Sequence, residues 1–156
     1  MNVHLKHWIP AICIGILISV FSTQYFSGER TARVIIPILR WLLPFASRRL
    51  LGWMHTGIRK LAHVTEFAAF SIAAFHGVRG DRSGWKLDWA VCTLLIAVAY
   101  AGLDEWHQSF VPLREARVRD VVIDAFGAFL AQFLVWAYAK WHWGPGGRAE
   151  PHPTGA

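Results

Sequence analysis

Eleven polar side chains stand where a largely apolar chain should not keep them. Lys60, His63 and Glu66 follow one another at spacings of three inside one apolar stretch, so in a helix they project broadly to one side. Asp104, Glu105, His107 and Gln108 close another such stretch. Asp104 and Gln108 are four apart and share a helical face, whereas Asp104 and Glu105 diverge by about 100°. Arg114 and Arg119 come next, then Asp120 and Asp124, again four apart. Lys60, Arg114 and Arg119 suit a phosphate, each arginine offering a planar two-pronged fork. One carboxylate, Glu66 or Glu105, with His63 or His107 would supply general acid–base chemistry, with Asp104 beside them as a further catalytic candidate. Gln108, Asp120 and Asp124 complete the candidate substrate-binding set. The same groups could equally form a ligand pocket or proton relay without catalysis. A metal site ranks last, because no HExxH or comparable paired-histidine spacing occurs. No metal and no cofactor are expected.

Each cluster also has a plainer reading. His63 and Glu66 could pair only to fix helix packing, and Asp104 to Gln108 could be a helix end emerging into the headgroups. The arginines could anchor on lipid phosphates, and Asp120 could be a first-turn acid favoured by the helix dipole. Asp124, one turn deeper, resists that treatment.

The elements that must position these groups are membrane helices. Of 156 residues, 54% are hydrophobic and 17% charged, against roughly 25% charged in soluble domains. Apolar residues run together in stretches of about 20, the length of a membrane span. Cys13 and Cys92 each sit within an apolar run, which excludes a disulfide scaffold. The net charge of +6 fits topology setting and lipid phosphates rather than nucleic acid, so membrane lipids are the expected partners. Four spans are predicted at about residues 8–26, 61–78, 85–103 and 121–141. The first could be read as a signal peptide, since Lys6 precedes it, but Phe21 to Phe26 offers no small-x-small cleavage site. Most tryptophans, including Trp8, Trp85, Trp106 and Trp141, fall near span ends, where amphipathic rings settle. Gly127 and Ala131 put small residues on the Asp124 stripe, allowing close helix approach.

Between the first two spans, residues 34–45 are apolar but too short to cross. Pro37 and Pro44 argue against one straight helix there, and flanking arginines and tryptophans predict an interfacial or re-entrant helix. Residues 144–156 (GPGGRAEPHPTGA) lack periodicity and are expected to be disordered. The fold class is therefore all-α: one transmembrane domain over residues 1–143, a four-helix bundle with an extra interfacial helix. Four crossings bring the end of span one, the start of span two, the end of span three and the start of span four to one face. Ser22 to Gln24 and the clusters above all lie at those ends. A charge in the bilayer costs about 2.5–3.5 kcal/mol, so Glu66, Asp104, Glu105, Gln108, Arg114 and Asp124 are expected to share one inward-facing pocket. Oligomeric state is left open.

The run from Asp104 to Arg114 (DEWHQSFVPLR), then Arg119-Asp120-Val121 and Asp124-Ala125-Phe126-Gly127-Ala128, resembles the VanZ-like membrane proteins. So do Arg59-Lys60-Leu61-Ala62-His63 with Glu66, and Phe21-Ser22-Thr23-Gln24. The resemblance covers all four spans in order. Two positions depart from the family pattern: Phe67 replaces a usual tyrosine, and Leu113 replaces the glycine before the arginine. The resemblance implies a multi-pass bacterial inner-membrane protein, in a family named for a member that gives low-level teicoplanin resistance. The resemblance assigns no reaction; the lipid-linked phosphate of the cell envelope expected as substrate rests on the cations and acid–base groups above. Orientation divides the signals. Ten Lys and Arg lie in the loops on the polar face and six on the other, which by the positive-inside rule points that face to the cytoplasm. The resemblance to an envelope-drug resistance protein points it outward, and outward is the orientation adopted here.

Overall fold

A computed structural model describes residues 5–112, 114 and 116–143. They form five α-helices: α1 (Leu5–Phe21), α2 (Gly28–Leu42), α3 (Arg48–Arg79), α4 (Leu87–Gln108) and α5 (Val118–Trp143), with a 3-10 turn at Gln24–Phe26 between α1 and α2. α3, α4 and α5 are long and apolar enough to cross a membrane. α1 is the fourth limb, 17 residues or about 25 Å long. The expected tail (144–156), Leu113 and Glu115 lie outside the described residues.

Side-chain contacts fix the directions. His7, near the start of α1, lies 3.3 Å from His76 near the end of α3, so these two helices run antiparallel. Ser22, just past α1, meets Asp104 near the end of α4, so α1 and α4 run the same way. His63 faces Asp124, and two turns on Ser71 meets Gln132, so α3 and α5 are parallel neighbours. This is an up-down-up-down bundle, and it delivers the expected four helix ends to one face.

The packing is inverted relative to a soluble core. Its buried cluster is built largely from alanines (Ala11, Ala73, Ala74, Ala97, Ala101, Ala128) around Ile18, Phe67 and Phe70. Leu95, Phe129, Phe133 and Leu134 point outward. With lipid as solvent, large apolar groups gain nothing by turning inward, and small residues let backbones close in. At Gly127 the α5 backbone meets α3 directly: an added Cβ would overlap the Val64 carbonyl oxygen and come within 3.0 Å of Val64 Cα.

Three expected boundaries need correction. Span one ends as a regular α-helix at Phe21: Ser22 N–H still bonds Ile18 O at 2.8 Å, but Thr23 N–H shifts to Val20 O at 3.1 Å, the tighter spacing that leads into the 3-10 turn. Span two begins thirteen residues early, at Arg48 rather than 61, where Ser47 caps the helix by accepting from Leu50 N–H at 3.2 Å. The resulting 32-residue helix is about 48 Å long, well beyond the roughly 30 Å hydrocarbon core. Nothing between 48 and 61 breaks it. The extra turns support α2: Thr31 Oγ1 lies 3.1 Å from His55 Nε2. The interfacial segment is α2, which starts six residues before 34 and passes through Pro37 unbroken. Its strong amphipathicity carries it past the one lost backbone donor. It turns 67° away from α1, the attitude of a helix lying across a membrane face.

At the opposite face the helices are pinned by charge. Asp81, in the α3–α4 loop, lies 3.0 Å from His7 Nε2 and 3.3 Å from Lys6 Nζ. Hydrogen bonds from His7 and Lys6 hold its carboxyl below the usual range. Trp8 packs its ring over Gly77, where a Cβ would approach to 2.6 Å.

Candidate functional site

Two polar networks and one cavity occupy the face where the four helix ends meet. The first network is buried behind the end of α1. Ser22 Oγ donates to Asp104 Oδ2 at 2.8 Å, and Gln108 Nε2 donates to the same oxygen at 2.7 Å. The four-residue spacing of Asp104 and Gln108 lets one α4 turn hold both. Gln108 Oε1 in turn accepts from Arg114 Nη1 at 3.4 Å. The Arg114 fork continues to the last carbonyl of α1 and to the turn beyond it: it donates to Phe21 O, to Thr23 O at 3.4 Å and to Phe26 O at 3.2 Å. Phe21 O is one of the carbonyls that a helix end leaves without a partner, so Arg114 closes α1 there and ties it to the 3-10 turn. Burial, and then the nearby Arg59 charge, press the Arg114 guanidinium below its ordinary range.

The second network lies between α3 and α5. His63 Nδ1 is 3.6 Å from Asp124 Oδ1 and 3.9 Å from Glu66 Oε2. Asp124 is fully buried, and neither of its oxygens accepts a hydrogen bond. Such a group is costly to hold, and His63 is the nearest group able to compensate it. Glu105 diverges from Asp104 as the helical geometry requires: its Oε2 accepts from Arg117 N–H at 2.7 Å, tying the α4–α5 loop back to α4.

A cavity of about 380 Å³ opens in front of both networks. Among the described residues, Arg59, Lys60, Arg114, Arg117 and Arg119 line it, against two carboxylates, Glu29 and Asp120. His63 and Gln108 also reach its wall. Such a wall favours an anion with several oxygens.

Of the six residues expected to share a pocket, Gln108 and Arg114 line this cavity. Asp104 stands directly behind Gln108, and Asp124 behind His63. Glu66 lines an adjoining pocket with His63 and Arg114, while Glu105 faces the loop. Lys60, Arg119 and Asp120 form the rim. His107 is exposed and lines none of these spaces. Phe67, where the resemblance expects a tyrosine, is fully buried in the core against Phe70 and does not line the cavity. Arg117, expected with Arg114 and Arg119 to meet phosphate, lines the cavity, and Arg59 and Ser22 join the site without having been expected there. Arg59 was legible in retrospect, since it stands four residues before His63 and so shares its face more closely than Lys60 does. Among the described residues no group of three or more His, Cys, Asp or Glu could hold a metal ion.

Fold and site together define a polytopic helical membrane protein with a cation-lined polar site at one face. The profile of the VanZ/LLP1 family matches residues 7–139, most of the chain. The protein belongs to that family. No curated protein and no solved structure matches it.

Proposed function

We propose that this protein binds the phosphate head of an anionic, lipid-linked cell-envelope substrate in the bacterial inner membrane. The observation that carries this reading is the five-cation wall of a cavity that opens at the membrane face of the bundle. Arg59, Lys60, Arg114 and Arg119 hold the head, with Gln108 and Asp120 orienting it. Asp104 acts through Gln108 and Ser22, fixing the wall from which Arg114 projects. If the substrate is turned over, His63 is the general base or acid, poised by Asp124 and Glu66. Glu105 positions the loop, and a contribution to teicoplanin resistance would follow from altering a surface lipid.

A proton relay through the bundle fits less well. The next buried polar pair, Ser71 and Gln132, lies eight residues along each helix from His63 and Asp124. Eight residues rise about 12 Å, beyond hydrogen-bond reach.

The test is to incubate purified protein in nanodiscs with phosphatidate or a polyprenyl phosphate and to follow retention and conversion by mass spectrometry. Wild type should retain the phosphate lipid over phosphatidylcholine, and Arg59→Gln should weaken retention about tenfold, the loss of one charge-assisted hydrogen bond. His63→Gln should keep retention and abolish any conversion. Equal retention by wild type and Arg59→Gln would refute the proposal.

A further inference from the structure

The cationic cavity continues into the membrane. Beside it lies a pocket of about 210 Å³ that shares Arg59, His63 and Arg114 with it and adds apolar walls from Phe26, Ile35 and Ile58. Beyond that lies an apolar groove of about 470 Å³ between α1 and α3, which shares Ile58, Ala62 and Glu66 with the middle pocket. Ile14, Leu17 and Ile18 form one wall of the groove, and Leu61, Thr65 and Ala69 the other. The three spaces thus run in series, polar at the membrane face and apolar toward the bilayer interior. On α3 the path runs from Ile58 to Ala69, eleven residues or about 16 Å. That is close to half of the roughly 30 Å hydrocarbon core, the depth of one leaflet.

The geometry points to a lateral entry groove: a phosphate-bearing lipid enters from one leaflet with its head among the cations and one hydrocarbon chain lying between α1 and α3. This rests on the headgroup reading above and adds what that reading lacks, the path and the tail. Charge complementarity selects the head, and the shared linings make head and tail sites one continuous surface. Glu66 sits at the junction, where the linkage between head and chain would pass. Because lipid tails are as apolar as the groove, the groove adds little affinity. It places the head.

The test uses the full-length protein in nanodiscs and lipids with a photoreactive diazirine near the chain end, on either a phosphatidate or a phosphatidylcholine head. After irradiation, peptide mass spectrometry compares labelling of the groove (Leu17, Thr65, Ala69) with the outward face of α5 (Phe129, Phe133). The phosphatidate probe should give a groove-to-outer-face ratio about tenfold above the phosphatidylcholine probe. Thr65→Phe should cut groove labelling without changing labelling of α5; Thr65 is exposed, so the variant leaves packing intact. Binding of glycerol 3-phosphate by the wild type is measured alongside. Glycerol 3-phosphate binding with equal ratios for the two probes overturns the groove and leaves the headgroup reading standing. No glycerol 3-phosphate binding and equal ratios overturn both.

Discussion

Gly127 offers the sharpest test of how α3 and α5 hold the site. In Gly127→Ala the new Cβ would overlap the Val64 carbonyl oxygen and stand 3.0 Å from both the carbonyl carbon and Cα. Ordinary contact begins near 3.4 Å, so the helices must part by at least about 0.4 Å, and more at the oxygen. Val64 is backbone inside a continuous 32-residue helix and cannot yield locally. Overpacking of this kind costs about 1–3 kcal/mol. Gly102→Ala is the matched control, since nothing lies within 4 Å of its added Cβ. Both substitutions gain the same helix propensity, so their difference isolates the clash. In a thermal-shift assay in detergent the two should differ by about 2–12 °C, with Gly127→Ala the lower. The clash also parts His63 from Asp124, which flank it by one residue and one turn, so phosphate retention should fall with stability. Equal melting of the two variants would show that the α3–α5 approach is not as close as described.

Arg114→Lys keeps the charge but loses the fork that spans Gln108 and the carbonyls at and just past the end of α1; phosphate-lipid retention should drop about tenfold or more, with a smaller fall in melting temperature. Ser22→Ala removes one of two donors to Asp104 Oδ2 and should destabilise by about 1–3 kcal/mol, seen as a lower melting temperature with phosphate selectivity kept. Asp81 has a depressed carboxyl pKa, so its stabilising effect is complete above its unfolded value of about 3.9 and is lost as pH falls through the lower folded value. Asp81→Asn should therefore flatten the acid limb of a stability-versus-pH curve below about pH 4, and an unchanged limb would contradict the pin. A reporter fused to the C-terminus should read cytoplasmic, because α5 ends opposite the site and the site is proposed to face outward.

The helices and their order were legible because lipid imposes a coarse rule: apolar stretches of span length must be helices, and four crossings force their ends to alternate. The convergence of His63, Asp104, Arg114 and Asp124 on one face follows from that rule and from helical spacing. What sequence did not disclose depends on contacts between remote elements. Arg114 reads as a ligand-binding arginine and lines the cavity, and its fork also ties down the end of α1 and the residues just past it, more than ninety residues earlier. Ser22 is one of several polar residues at a span end, and only the approach of Asp104 gives it a role. The early start of α3 was hidden because residues 48–60 are not apolar enough to read as a span. Their helicity is secured by the Ser47 cap and by α2 packed alongside. Pro37 alone reads as a break, and the helix passes it because the amphipathic pattern extends over all of Gly28–Leu42 rather than over 34–45.

The central claim is that the cation-lined cavity takes a phosphate head, and a phosphorus NMR titration of glycerol 3-phosphate against the purified protein tests it with no lipid tail involved. Wild type should show saturable binding that weakens as salt is raised, and a double variant, Arg59→Gln with Arg119→Gln, should bind at least tenfold more weakly while melting at nearly the same temperature. Binding that does not saturate, or a double variant that binds as well as wild type, would contradict it.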